Sequence, residues 1–188
     1  MPGQTGGDGG GVTPDTAPLI LTLEIDEATF DRLDALRRAH FPAHLNVISA
    51  HLTLFHHLPG DRFDAVVASV ERTAKATQAF PIAFTGLRKL GRGVALNVEA
   101  EDIAKVRSPI AADFADALTA QDQQSRRPHV TIQNKVDPKV AAALHDELTA
   151  AFIPWQADAV GLRLWHYRNG PWEAAGRFAF RDAARTSG

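Results

Sequence analysis

The chain has 188 residues, 45% hydrophobic and 22% charged, which is ordinary for a soluble globular protein and enough for one well-buried domain or two small lobes sharing a cleft. A formal net charge of −2 excludes the broad basic face that sequence-independent nucleic-acid binding needs, though not a small basic pocket around one phosphate. The absence of cysteine excludes disulfides, thiolate metal sites and a cysteine nucleophile, and fits a reducing cytoplasm.

Residues 1–16 are Gly-rich, with neither a basic n-region nor an apolar h-region, so a flexible tail is expected rather than a secretory signal. Pro18 to Ile25 alternates after an apolar start and reads as a strand. Thr29 to Phe41 carries Phe30, Leu33, Leu36 and Phe41 at helical spacing. Ile48 to Leu58 reads as the second strand, closed by Pro59-Gly60, and Phe63 to Ala76 as the next helix. Two strands follow, Phe80 to Leu90 and Gly93 to Val98, joined by a turn at Gly91-Arg92-Gly93.

The second half repeats this order. Asp102 to Leu118 is expected as helix, Pro128 to Val136 as strand and Pro138 to Phe152 as helix. Asp158 to Tyr167 and Trp172 to Phe180 form a last hairpin about Asn169-Gly170-Pro171, and Ala183 to Gly188 is a second flexible tail. Residues 17–182 are therefore read as a single unit. Each half holds a helix, a His-x-Thr strand, another helix and a hairpin, which predicts a hairpin-rich α+β fold of two related lobes. No run approaches the roughly 18 apolar residues of a membrane helix, so a cytoplasmic monomer with no membrane contact and no obligate protein partner is expected.

The informative segments are His51-Leu52-Thr53-Leu54 and His129-Val130-Thr131-Ile132. Strand side chains alternate between faces, so His51 and Thr53 share one face while Leu52 and Leu54 share the other, and the second copy behaves alike. The apolar faces must pack under helices. Two His/Thr faces looking at each other then make a polar cleft. Continuing the alternation adds Phe55 and His57 from the first strand, and Arg127, Gln133 and Lys135 from the second, and turns His56 away.

That set suits phosphodiester hydrolysis, which needs a base for water and an acid for the leaving alkoxide. Imidazole serves either part near neutral pH. Thr hydroxyls donate to non-bridging phosphate oxygens, and Arg127 or Lys135 can clamp the charge, so the chemistry requires no metal.

"HLTLFHHLPG" and "RPHVTIQNK" resemble the two signatures of the two-histidine (2H) phosphoesterases, in particular the bacterial RNA 2′,3′-cyclic phosphodiesterase / 2′-5′ RNA ligase branch, over residues 17–182. The resemblance implies two pseudo-symmetric antiparallel β-sheets facing across a central cleft, with helices packed outside. It implies His51, Thr53, His129 and Thr131 as the catalytic set, with His51 as acid and His129 as base. It further implies a cofactor-free enzyme that opens 2′,3′-cyclic phosphates on an RNA 3′ end or small nucleotide to 2′-phosphates, with ligation as the reverse direction. The chain departs from the pattern at His56-His57-Leu58-Pro59-Gly60, where many relatives carry a Gly-ending segment. An extra cleft-facing imidazole at His57 would alter substrate choice or bind a transition metal.

Other residues have plainer explanations. Phe55 is equally a stacking partner for a nucleobase or a core ring. Arg127 reads as a substrate contact, and Arg126 as facing away. Trp165, Tyr167 and Trp172 read as cross-strand packing. Asp31, Arg32, Asp34, Arg37 and Arg38 read as a solvated helix face, and His40, His44, His145 and His166 have no partner pattern. Two rival functions compete with catalysis by paired histidines: a non-catalytic module binding nucleotides or RNA ends, and a metal hydrolase using His51, His57 and His129.

Overall fold

The strands and helices follow one another as β1 (Leu19–Ile25), α1 (Glu27–His40), β2 (Leu52–Leu58), α2 (Phe63–Ala76), β3 (Phe80–Lys89), β4 (Val94–Glu99), α3 (Asp102–Asp113), α4 (Ala120–Gln123), β5 (His129–Gln133), α5 (Pro138–Ala150), β6 (Trp155–His166) and β7 (Glu173–Ala179). This computed structural model describes residues 16–124 and 127–182. The expected C-terminal tail, the expected N-terminal tail up to residue 15, and Arg126 lie outside the described residues.

All strand pairing is antiparallel. The long strand β6 is shared between two halves: Trp155 to Ala159 pairs with β3, whereas Ala159 to His166 pairs with β1. One half runs β2-β1-β6-β7 and the other β5-β4-β3-β6, so β2 and β5 occupy equivalent edges. Those edges meet at a single pair, Leu52 with Val130, which closes the sheet into a barrel-like ring. The fold is α+β.

Helices cover the apolar side. Leu33 of α1, Val66 and Val70 of α2, Ile103, Val106 and Ile110 of α3, and Ala141 and Leu144 of α5 are buried against the sheet, in a core with Leu21, Leu52, Leu96, Val130, Leu162 and Leu164. Burying such side chains supplies about 1.5–3 kcal/mol each, and this packing holds the motif strands in place. Helix α1 starts on Asp26, whose carboxylate accepts the Thr29 N–H at 2.9 Å, and α5 starts on Asp137 followed by Pro138. Among the described residues no helix is long and apolar enough to cross a membrane.

Several expectations need correction. The second strand begins at Leu52 rather than Ile48, because α1 takes the preceding backbone: Asp34 accepts the Ala50 N–H at 2.9 Å and the Arg37 guanidinium donates to the Ile48 carbonyl at 2.9 Å. Asp34 and Arg37 are thus buried clamps, not part of a solvated face. The helix from Asp102 ends at Asp113, and β5 ends at Gln133, where the chain turns away through Lys135 at φ 63°.

The last correction concerns the faces of the motif strands. Thr22 of β1 faces Thr53, but Leu21 faces Phe55 and Leu19 faces Leu58, so β2 holds an extra residue at Leu54–Phe55 and another before Leu58. On the other edge Ala95 faces Thr131 but Val94 faces Gln133, an extra residue at Ile132–Gln133. Each is a β-bulge, which breaks strict alternation and bends the strand. Both motif strands therefore bury their fourth and fifth residues together: Leu54 with Phe55, and Ile132 with Gln133.

Candidate active site

The pairing of Leu52 with Val130 sets the geometry of the motifs. Opposed residues in an antiparallel pair point to the same face. Leu52 and Val130, both 0% exposed, point into the core. Their neighbours must point to the other side, with His51 across from Thr131 and Thr53 across from His129. The structure thus brings His51, Thr53, His129 and Thr131 together about a pseudo-two-fold axis through one residue pair. All four are partly buried.

The two imidazoles are held alike. His51 Nδ1 lies 2.8 Å from the Ser49 carbonyl, and His129 Nδ1 lies 3.2 Å from the Arg127 carbonyl, each two residues back along the chain. A carbonyl only accepts, so in each ring Nδ1 carries the proton and Nε2 is the acceptor nitrogen of the neutral form. The supports are also matched. Arg37 donates through Nε to the Asn46 side chain at 2.8 Å and to the Ile48 carbonyl, and through Nη1 to the Thr131 carbonyl at 2.8 Å. One buried side chain from α1 therefore ties the His51 loop to the second motif strand. Arg88 of β3 donates to the Arg127 carbonyl at 2.7 Å, the same carbonyl that orients His129.

Burial pushes the His51 imidazole down to about 4; the Ser49 carbonyl opposes this, and the charges of Arg37, His56 and His129 push it lower. His51 is accordingly neutral at pH 7 in the open cleft. Its ring packs on Trp172, 4.6 Å between centroids, and Trp172 in turn packs on Trp165 at 6.1 Å. The hairpin tryptophans do pack across strands, as expected, but Trp172 also covers the imidazole. Pairing with Thr53 places Thr22 on the cleft face, where its hydroxyl accepts the Trp165 indole N–H at 3.0 Å.

The flanking residues separate into two groups. Arg127 borders the cleft as expected, lining a cavity of about 140 Å³ together with Thr53, His56 and His129. Phe55 and Gln133 do not reach it: the bulges turn them into the core, at 0% and 4% exposure. Phe55 is a core ring with the Arg107 guanidinium over its face, 4.5 Å from its centroid. His57 and Lys135 are exposed and line none of the cavities at the motifs. His56, expected to face away, is instead on the Thr53 side, because the same bulge that buries Phe55 rotates it there. Its Nδ1 faces Asp122 Oδ1 at 3.3 Å.

Sequence reasoning missed Arg37, Arg88, Arg107, Asp122 and Trp172. No alternation rule reaches Asp122, which comes from a four-residue helix far along the chain. A second cavity, of about 590 Å³, opens on the other side of His51 between Trp165, Trp172, Arg163 and α1. Among the described residues no group of three or more His, Asp or Glu side chains is arranged to hold a metal ion. With His57 turned outward, the metal-hydrolase reading loses the third of its three ligands.

Comparison with known proteins bears on the fold and the family. A family model described as the 2′-5′ RNA ligase superfamily matches residues 25–171. No curated protein sequence matches the chain. Among solved structures, TT0787 of Thermus thermophilus superposes with a TM-score of 0.60 at 16% identity, covering 87% of this chain and 98% of that one. E. coli LigT complexed with 3′-AMP superposes with a TM-score of 0.61 at 16% identity, covering 89% and 100%. LigT complexed with NADP+ gives 0.59 at 15% identity, covering 88% and 99%. At such identities these structures establish the fold, while the family match over most of the length establishes descent. The chain belongs to the 2′-5′ RNA ligase superfamily of 2H phosphoesterases.

Proposed function

We propose that the chain is a metal-independent cyclic phosphodiesterase that opens 2′,3′-cyclic phosphates, on RNA 3′ ends or small nucleotides, to 2′-phosphates. The observation that carries this reading is the crossed arrangement of the motifs, each imidazole opposite the other motif's threonine with its Nδ1 held by a backbone carbonyl. A phosphate at the pseudo-two-fold centre meets a hydroxyl and an Nε2 from each side. One imidazole takes a proton from water as its oxygen attacks phosphorus; the bond from phosphorus to O3′ breaks, and the other imidazole protonates O3′. The Thr53 and Thr131 hydroxyls donate to the non-bridging oxygens, where charge builds. The neutral state of His51 favours it as the base, with His129 as the acid; in ligation a 5′-hydroxyl replaces water as the nucleophile with the same two parts, which exchange only when the product closes back to the cyclic phosphate.

Membership of the superfamily supports phosphodiesterase or ligase chemistry, and the LigT complexes with 3′-AMP and NADP+ support a phosphorylated nucleotide as the substrate class. The reading includes a monomer that acts in the cytoplasm without a cofactor. The test is turnover of 2′,3′-cyclic AMP and of a cyclic-ended oligoribonucleotide in EDTA, with product identified as the 2′-phosphate. Wild-type turnover and its loss in His51→Ala and His129→Ala support the reading. Equal background rates for wild type and both variants would leave a nucleotide-binding module instead.

A further inference from the structure

Beside the motif centre, the cavity of about 140 Å³ is lined by Thr53 and His129 on one side and by His56, Arg107, Asp122 and Arg127 on the other. Liquid water occupies about 30 Å³ per molecule, so this space has room for a phosphate-sized group. Its charge balance favours an anion. Asp122 is its one acid and faces inward to the protein: its carboxylate accepts the backbone N–H groups of His56 at 2.9 Å and His57 at 2.8 Å and is 2% exposed. Arg107 donates to the carbonyls of Leu54 at 3.0 Å and Asp122 at 2.8 Å, with the Asp122 charge also acting on it. Arg127 supplies a second cation at the rim.

The orientation of His56 is built in three steps. The bulge at Leu54–Phe55 brings it to the Thr53 face. Asp122 then holds its backbone, and Asp122 Oδ1 also takes the Nδ1–H at 3.3 Å. That leaves Nε2 as the ring atom directed away from the carboxylate, where the protonated ring offers an N–H donor to an anion. Buried aspartate, oriented imidazole and a small cation-lined space next to the reaction centre form one unit.

We propose that His56, oriented by Asp122, with Arg107 and Arg127, forms a subsite for a second phosphate on the same nucleotide as the cyclic one, that is, the phosphate on its 5′ side. This rests on the cyclic-phosphate reading of the motif centre and extends it to substrate choice. The enzyme then prefers a nucleotide carrying a 5′-phosphate, or an oligonucleotide end, over a bare nucleoside cyclic phosphate. His56 is a specificity-determining residue, and Asp122 is a positioning residue acting through it.

The experiment compares three substrates: adenosine 2′,3′-cyclic phosphate, the same with a 5′-monophosphate, and a cyclic-ended dinucleotide whose 5′-side phosphate is a diester. Wild type should show a KM about tenfold lower or better for one or both phosphorylated substrates, as expected for charge-assisted hydrogen bonds to one phosphate. Preference for the monoester alone identifies a terminal phosphate, and preference for both identifies the chain backbone as well. His56→Ala and Asp122→Asn should bring the KM ratio close to one. Equal KM values for all three in wild type would overturn the subsite while leaving the cyclic-phosphate reading intact; no turnover of any substrate would overturn that reading instead. The subsite is then still decided by titrating ¹⁵N-histidine-labelled protein with inorganic phosphate. Saturable movement of the His56 ring resonances, weakened in Asp122→Asn, supports it, and movement confined to His51 and His129 overturns it.

Discussion

Replacing Arg37 by Met tests whether one buried guanidinium holds the two motifs in register. Arg37 is 5% exposed and makes three hydrogen bonds, to the Asn46 side chain at 2.8 Å, the Ile48 carbonyl at 2.9 Å and the Thr131 carbonyl at 2.8 Å, while stacking on Phe41 at 4.1 Å. Methionine keeps much of the stem and its packing but leaves those three acceptors without their donor. Orphaned acceptors cost about 1–3 kcal/mol each, and such effects are less than additive, so a total of about 3–4 kcal/mol is expected. For a chain of this size about 1 kcal/mol lowers Tm by about 2–4 °C, giving a drop of roughly 6–16 °C. Urea unfolding followed by circular dichroism should show the same loss as a lower midpoint with an unchanged slope. Because the Ile48 carbonyl precedes the His51 loop and the Thr131 carbonyl lies in the facing motif, kcat/KM at temperatures where the variant stays folded should fall about 10²-fold, the cost of a misplacement near 1 Å. A variant within about 1 °C of wild-type Tm would refute the structural reasoning. A destabilised but fully active one would show that Arg37 supports the fold without setting the motif geometry.

Replacing His51 or His129 by Ala should each lower kcat about 10²- to 10⁴-fold without unfolding the chain, read by assay in EDTA alongside circular dichroism. Burial lowers the His51 pKa to about 4, below its unfolded value near 6.5, so the unfolded chain binds the proton first as pH falls. Stability from this group is therefore present above about pH 6.5, is lost between about 6.5 and 4, and levels off below; a His51→Gln variant should lack that slope in Tm against pH. If His51 is the base, the acid limb of kcat/KM lies near pH 4, whereas a limb above about 6 would return it to the acid role. Phe55→Leu should cost about 1 kcal/mol of stability with KM unchanged, since the ring is a core ring; a raised KM at unchanged stability would put it back in the cleft.

The four motif residues and their shared face were legible because a strand keeps strict alternation as long as its ladder is regular. Thr53, His129 and Thr131 lie within that regular stretch, and His51 immediately precedes it. Phe55, His56 and Gln133 lie one step beyond it, and their positions were inverted by the bulges at Leu54–Phe55 and Ile132–Gln133. Nothing in the composition of either segment marks a bulge, since Leu-Phe and Ile-Gln are ordinary strand pairs. The support was illegible for a different reason. Asp34 and Arg37 sit among Asp31, Arg32 and Arg38 in a helix whose charges look uniformly solvated, and only the tertiary fold shows that the loop before β2 lacks strand partners and uses these two instead.

The two bulges and the short overlap of the motif strands together shape the cleft. Edges β2 and β5 pair at Leu52 and Val130 alone, because β2 begins at Leu52 and β5 at His129 and the strands overlap by little more than this pair. A bulge just past each motif threonine increases the local twist and carries the strands further apart. Continued pairing would have filled the space beside Thr53 and His129 with cross-strand neighbours. Parting opens that space, leaves the motif side chains at its mouth, and turns His56 to its wall. Gly93 makes the second bulge possible: a Cβ there would lie 2.0 Å from the Gln133 carbonyl oxygen, against rigid backbone. Gly93→Ala should therefore cost about 1–3 kcal/mol by unfolding assay and lower activity beyond its effect on stability, since straightening β5 at Gln133 moves the strand that carries His129. Full activity in a stable Gly93→Ala variant would separate the bulge from the cleft and sink the argument.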